Sequence, residues 1–502
     1  MNRKQVILIN GFSGILNQII TLLVQFLTRV ILLRYIGVEI LGISSTLSSV
    51  ISTLALTELG FQNAVVFYLY APLREEDNHK INQIMMILKR VYEIIGLIFI
   101  VLTILSMPLL KYILKGVDIT WEVVCIYALI GFNNASTYFI AYKRALLFAD
   151  QKEYISKIVD SICNIVIFLI KCYCIIVCKN YLYYLILQIL QTVLSNIWIN
   201  GICKRKYPFI YSCPFDKQLF RKIFKDVQNV FVGKLAGYVY GATDNLVISS
   251  CLGAIFVGYL TNYSMLVSTI KQGVNVVFNA MTPIIGNMLL DGSSNKSKEE
   301  DFRFYSYIRF FIATVIIVPW LVMANDLVGS IFGVQYILSQ NIVILLAIDM
   351  YIHIIYTPCV QYIEADGLFQ EDKSIALCGT VINIVISVVC VFFIGVEGVL
   401  IGTAISQIYF WIARAHLLYF KVFSLDGKKY IKYFGENIVW LFVVVVFAVA
   451  AKLAVNSISM SNKYIALMSD FVICEIIVIL GQLFAFIKTT KGQKLISLIK
   501  HK

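Results

Sequence analysis

Arg29 and Lys271 are charged residues set deep in long apolar runs of this 502-residue sequence, and any chemistry is to be sought there first. A cation at the centre of a bilayer costs about 2.5–3.5 kcal/mol even on the lenient insertion scale, so such a side chain faces a bundle interior or a watery cavity. Arginine can grip phosphate oxygens through two parallel hydrogen bonds and lysine acts as a point charge. With Lys234, the pair suits an anion. Around Arg29 the polar residues Asn10, Asn17, Gln18, Thr21, Gln25 and Thr28 recur close to the i, i+3, i+4, i+7 spacing of one helix face. Around Lys271 the pattern returns with Ser264, Ser268, Gln272, Asn275, Asn279 and Thr282. Two polar stripes, each with one deep cation, imply a water-filled positive cavity lined by Asn17, Gln18, Gln25, Gln272, Asn275 and Asn279. The competing reading is internal pairing that only fixes helix packing, Lys234 with Asp244 or Arg29 with Glu58.

Other groups admit two readings as well. Asp244, Asp349 and Glu397 could carry a coupling proton or sodium ion, or be structural partners. His353 could titrate near neutrality or be a hydrogen-bonded packing residue. Lys171, Arg414 and Lys452 read as packing or snorkelling side chains, Ser45, Ser48 and Ser52 as a polar face, and Pro319 and Pro358 as kinks. The twelve cysteines include no C-x-x-C pair, and Cys172, Cys174 and Cys178 read as small packing residues. No phosphate-binding loop or dinucleotide fingerprint occurs. No metal or cofactor is expected.

The elements that must position these groups follow from composition. Sixty per cent of the residues are apolar and 14% charged, against about 25% charged in soluble domains, which excludes a soluble enzyme. Apolar runs long enough to cross a membrane, about 20 residues each, fall near 7–33, 40–66, 87–110, 119–142, 155–178, 181–202, 228–250, 255–283, 304–325, 338–362, 374–394, 397–420, 433–456 and 464–487. This is an all-α polytopic membrane protein with about 14 transmembrane helices. With an even count both termini share a side, which takes 31 of the 42 Lys and Arg, Arg309 among them; five lie opposite and six within spans. Cytoplasmic loops are the basic ones, so both termini are expected in the cytoplasm, and the net charge of +13 reports orientation rather than a nucleic-acid partner.

An internal repeat organises the spans. Gly37–Gly42 (GVEILG) is echoed by Gly253–Gly258 (GAIFVG), Phe148–Lys152 (FADQK) by Phe369–Lys373 (FQEDK), and Asn164–Ile167 (NIVI) by Asn383–Ile386, at offsets of about 220. Two pseudo-symmetric six-helix lobes, 1–203 and 228–421, are expected, joined by a cytoplasmic loop over 204–227 and followed by two helices and a basic tail over 422–502. Parallel repeats of this kind occur in secondary transporters with a midplane site between halves. The repeat sets Lys143 and Arg144 against Glu364 and Asp366 at equivalent cytoplasmic ends, where they could meet as an inner gate or stay solvated.

These stretches resemble the polysaccharide and O-antigen flippases of the multidrug/oligosaccharidyl-lipid/polysaccharide exporter superfamily. The likeness is carried by FLTRVILLRYIGVEILG (Phe26–Gly42), ELG (Glu58–Gly60) with Ala64, YKRALLFADQKEY (Tyr142–Tyr154), Asp244 with Gly253, Gly258 and Tyr259, and Gly395, Gly398 and Gly402. The resemblance implies a MATE-like fold and a rocking cycle that turns an undecaprenyl-diphosphate-linked oligosaccharide from the inner to the outer leaflet of a bacterial cytoplasmic membrane, for surface polysaccharide synthesis. The diphosphate would sit in a cationic cavity near Arg29 and Lys271. A monomer working beside a polymerase and glycosyltransferases is expected. Alternatives are a lipid II flippase, whose cavities usually carry several arginines, and a cation-coupled multidrug exporter. A membrane glycosyltransferase or polymerase is disfavoured, since the outer loops are short and hold few acids besides Asp118 and Glu122.

Overall fold

A computed structural model describes residues 3–54, 61–211, 213–279, 281–290, 294–457 and 462–486, with the side chains of 3–8, 61–64, 226–234, 283, 290 and 485–486 outside that description. The described residues form helices and connecting turns, with no strand. Lipid offers the backbone no hydrogen bonds, so a spanning chain must satisfy its own, as helices do.

Contacts divide the chain into two compact units, Met1–Thr261 and Asn262–Lys502. The first holds α1 (Arg3–Tyr35), α2 (Val38–Leu54), α3 (Phe61–Glu75), α4 (Asn78–Ser106), α5 (Leu110–Ile113), α6 (Trp121–Ile140), α7 (Arg144–Ala149), α8 (Glu153–Cys178), α9 (Tyr181–Lys206) and α10 (Lys217–Cys251). Helix α11 (Ala254–Phe278) begins in the first unit and ends in the second. The second continues with α12 (Met281–Leu290), α13 (Asn295–Ile331), α14 (Gln340–Ala365), α15 (Phe369–Ile394), α16 (Val396–Leu417), α17 (Gly427–Asn456) and α18 (Lys463–Phe486). Packing and repeat thus divide the chain differently, because α10 packs on α2 and α3. Side-chain oxygens cap several starts: Asn180 accepts from Leu182 N, Asp216 from Gln218 N and Leu219 N, and Ser339 from Ile342 N.

Each expected span overlaps described helix, and eleven helices among the described residues are long and apolar enough to cross a membrane. Of the remaining three expected spans, the second is represented by the shorter apolar helix Val38–Leu54, and the seventh and eighth lie in α10 and α11, which carry the polar residues around Asp244 and Lys271. Within the second span the described helices are α2, to Leu54, and α3, from Phe61; α10 extends into the polar stretch before 228; within the eighth they are α11, to Phe278, and α12, from Met281. Helices α13 and α14 run through Pro319 and Pro358.

The repeat has a steric explanation. Gly37 and Gly253 both take positive φ, +99° and +122°, just before α2 and α11. Five residues later the helices cross at bare backbone: a Cβ on Gly42 would lie 2.0 Å from the Ala254 carbonyl oxygen, and one on Gly258 2.5 Å from the Val38 carbonyl oxygen. The G-x4-G spacing is therefore a turn followed by a crossing point. In the second unit Gly398 and Gly402 play the crossing role for α15 on α16, a Cβ on Gly402 falling 2.2 Å from Ser387 Oγ. Aromatic side chains fill that unit's core, Phe302 standing 5.3 Å from Tyr362 and 5.5 Å from Tyr433 between ring centres.

Candidate functional site

In the first unit the polar stripe of α1 is spent largely on α8. Asn10 Nδ2 donates to the Gln151 carbonyl (2.6 Å) and Asn10 Oδ1 accepts from Tyr154 N (2.8 Å). Ser161 Oγ donates to Asn17 Oδ1 at 2.9 Å, and Asn164 Nδ2 to Thr21 Oγ1 at 3.2 Å. The ladder continues inward through Gln191, which donates to Asn164 Oδ1 (2.6 Å) and accepts from Lys171 Nζ (2.8 Å). Asn17 therefore builds a helix seam in this structure, Gln18 is half-buried on α1, and Gln25 is exposed.

Arg29 is 9% exposed, and its Nη2 donates to the Gly258 carbonyl at 3.0 Å, beside the glycine crossing. Its charge reaches the phenols of Tyr181 and Tyr184 on α9. Those tyrosines stack at 5.4 Å on the wall of a cavity of about 320 Å³ enclosed by α2, α6 and α9. Glu58 and the Lys234 side chain lie outside the described residues, so the pairings Arg29 with Glu58 and Lys234 with Asp244 go unexamined; Asp244 is half-buried on α10.

In the second unit Lys271 does not stand alone. Its Nζ pairs with one carboxylate oxygen of Asp349 on α14, and Gln407 Nε2 of α16 donates to the other. One turn along, Asn275 Nδ2 meets His353 Nε2 at 3.4 Å. Further along, Gln361 Nε2 donates to the Phe278 carbonyl (3.1 Å) and to Thr282 Oγ1 (3.2 Å). The cavity cation and the coupling acid of the sequence reading are thus one ion pair. Gln272 and Asn279 are exposed on α11. Glu397 accepts from Ser339 Oγ at 2.7 Å, which makes it a partner of the residue that caps α14.

The residues expected at the gate divide. Arg144 is held inside the first unit, bidentate to Asp160 (2.7 and 2.8 Å), with Nε donating to Asn196 Oδ1 at 2.7 Å. Lys143 is buried with its ammonium 5.9 Å from the Tyr142 ring centre, while Glu364 and Asp366 are exposed near the end of α14. Arg414 is likewise bidentate to Asp372, through Nε (2.7 Å) and Nη2 (3.1 Å). The loop motif Phe148–Lys152 is anchored by Asp150, which accepts from Tyr207 Oη at 2.5 Å; burial and then that bond raise the Tyr207 phenol above its ordinary range.

One cation escaped the sequence reading. Arg309, counted on the cytoplasmic flank of span nine, is fully buried in α13. Its Nε, Nη1 and Nη2 have no hydrogen-bond partner among the described residues, and its guanidinium lies 4.3 Å from the Phe278 ring centre and 5.7 Å from that of Tyr305. Its position inside the apolar run 304–325 was the available signal.

These polar clusters, buried within long apolar helices, are of a kind that transport proteins use. A family model described as polysaccharide biosynthesis protein matches residues 7–289, more than half of the sequence. The chain belongs to this polysaccharide biosynthesis family. It is a multi-pass membrane protein whose fold is shared with flippases and transporters. The structure of the lipid II flippase MurJ in an inward closed conformation aligns with a TM-score of 0.70 at 13% identity, over 95% of this chain and 99% of that one. An inward-facing multidrug resistance MATE transporter of the MOP superfamily aligns at 0.61 with 15% identity, over 78% and 92%. The Vibrio cholerae MATE transporter VcmN aligns at 0.55 with 15% identity, over 84% and 98%. No curated protein matches the sequence. Within the family match lie α1, α2, α10 and α11, and so Arg29, the glycine crossing and Lys271.

Proposed function

We propose that this polysaccharide biosynthesis protein is a flippase that carries undecaprenyl-diphosphate-linked oligosaccharide units from the inner to the outer leaflet of a bacterial cytoplasmic membrane. It works by alternating access and without a chemical step, as a monomer with both termini in the cytoplasm. The units it delivers are built by glycosyltransferases and joined by a polymerase. The observation that carries the reading is the pair of deep cations, Arg29 and Lys271, on helices matched by a polysaccharide family model. A cation-coupled drug exporter is weighed against by Asp349, whose two oxygens are already taken by Lys271 and Gln407.

The Lys271–Asp349 pair suggests how a diphosphate is taken up and let go. The anion competes with Asp349 for the ammonium, so binding exchanges one ion pair for another instead of desolvating a free charge. Release lets Asp349 return. Asn275 and His353, one turn away, lie within reach of the same anion's remaining oxygens. Removing the gene should trap lipid-linked saccharide in the cytoplasmic leaflet. Wild type should clear it, and Lys271→Ala should not at equal protein abundance. A deletion strain with normal surface polysaccharide and no trapped intermediate would refute the reading.

A further inference from the structure

The cavity lined by α2, α6 and α9 lies wholly within the first unit, and its lining holds neither Arg29 nor Lys271. Its polar wall is built at helical spacing: Ser44, Ser48 and Ser52 share one face of α2, and Tyr181, Tyr184 and Gln188 one face of α9. Ser44 and Tyr181 satisfy each other at 2.6 Å. Ser48, Asn133 and Gln188 line the cavity, and Asn133 Oδ1 is buried with no hydrogen-bond partner among the described residues. In a membrane-embedded helix bundle an unpartnered amide is costly, so the occupant must be polar.

No Asp, Glu, Lys, Arg or His lines the cavity. The Lys171 ammonium sits 5.0 Å from the Tyr184 ring centre and donates to Gln191. A phosphate would find no counter-charge in the lining. The wall is also mixed: Ile51 and Leu185 and the faces of two stacked tyrosines alternate with the hydroxyls and amides. Pyranose rings have that duality, with apolar C–H faces and a hydroxyl rim. The volume of about 320 Å³ equals roughly ten waters at ~30 Å³ each, room for one substituted ring, and lies at the small end of ligand pockets.

We infer that this cavity is a subsite for one uncharged sugar ring of the lipid-linked saccharide. The inference rests on the flippase reading and adds to it a place for the sugar whose tyrosine wall borders Arg29. Ser48, Asn133 and Gln188 supply the hydrogen bonds, and the Tyr181–Tyr184 stack the apolar face.

The test uses the full chain in lipid nanodiscs, with undecaprenyl diphosphate alone and the same lipid bearing glucose, galactose, N-acetylglucosamine, N-acetylgalactosamine or glucuronic acid. At least one neutral glycolipid should bind about tenfold more tightly than the bare lipid, equivalent to 1.4 kcal/mol, and the glucuronic acid lipid should gain nothing. Asn133→Leu, a near-isosteric change that removes the amide's hydrogen bonds, should cut the preference to within twofold while leaving bare-lipid affinity unchanged. Gln188→Ala, a truncation that the fold tolerates more easily, should reduce it partway. If wild type shows no preference for any neutral sugar, or Asn133→Leu retains the full preference, the subsite is wrong and the cavity holds only water. If neither the bare lipid nor any glycolipid binds, the flippase reading falls instead.

Discussion

Two helix seams run in constant register, one neutral and one charged. Between α1 and α8 the partners are 143 or 144 residues apart, from Asn10 with Tyr154 through Asn17 with Ser161 to Thr21 with Asn164. Between α11 and α14 the offset is 78 for Lys271 with Asp349 and Asn275 with His353, and 79 for Thr282 with Gln361. A constant offset means parallel helices meeting rung by rung. The α1–α8 rungs are amides and hydroxyls that neither an anion nor a proton rearranges at modest cost. The α11–α14 seam includes an ammonium and a carboxylate, each of which would accept another partner. The neutral seam suits a fixed frame, and the charged one a place where substrate enters.

Breaking one half of the charged rung should have the largest effect. Asp349→Ala leaves the Lys271 ammonium, 20% exposed, without its carboxylate, a loss of about 3 kcal/mol that should appear as a clearly lowered Tm in detergent. The double substitution Lys271→Met with Asp349→Leu should recover most of that Tm and still fail to restore surface polysaccharide. Next comes Arg309. Replacing a buried, unpartnered guanidinium by Met should raise stability by about 1–2 kcal/mol, read as a higher Tm; a fall would mean that stacking on Phe278 outweighs the burial of charge.

The neutral seam should yield less per residue. Asn164→Leu removes two interhelical hydrogen bonds, worth about 0.6 kcal/mol each in membrane proteins, and should lower Tm slightly with export retained. The smallest effect lies outside the membrane. The Asp77 carboxyl accepts from Lys80 N at the start of α4, and that bond with the Lys80 ammonium holds it below the usual carboxylate value. A lowered folded value stabilises above the unfolded value of about 3.9, and the contribution fades as pH falls through the folded one. Asp77→Asn should therefore melt slightly below wild type at pH 7, with the gap closing below about pH 4.

Much of this was legible in the sequence. Helices follow from apolar runs because lipid admits few alternatives, and eleven of the fourteen expected spans are long apolar helices among the described residues. The polar stripes were legible too, since Asn10, Asn17 and Thr21 recur at helical spacing. What they face was not: a stripe looks the same whether it lines water or a neighbouring helix, and its partners on α8 stand more than 140 residues away. Lys271 and Asp349 were each singled out, but their pairing depends on the register of α11 on α14. Arg309 was misplaced because a cation near a span's start reads as flank until burial is known. The G-x4-G echo was legible as a repeat, and the turn and crossing it marks, where Cβ atoms cannot fit, needed the helix contacts.

The central claim is movement of a lipid-linked saccharide between leaflets. The most direct measurement reconstitutes the purified chain in liposomes with undecaprenyl-diphosphate saccharide confined to one leaflet and follows its exposure to a membrane-impermeant sugar oxidant. Wild type should expose the saccharide well above protein-free liposomes, and Lys271→Ala should fall close to that background. Equal exposure with and without wild-type protein would contradict the account.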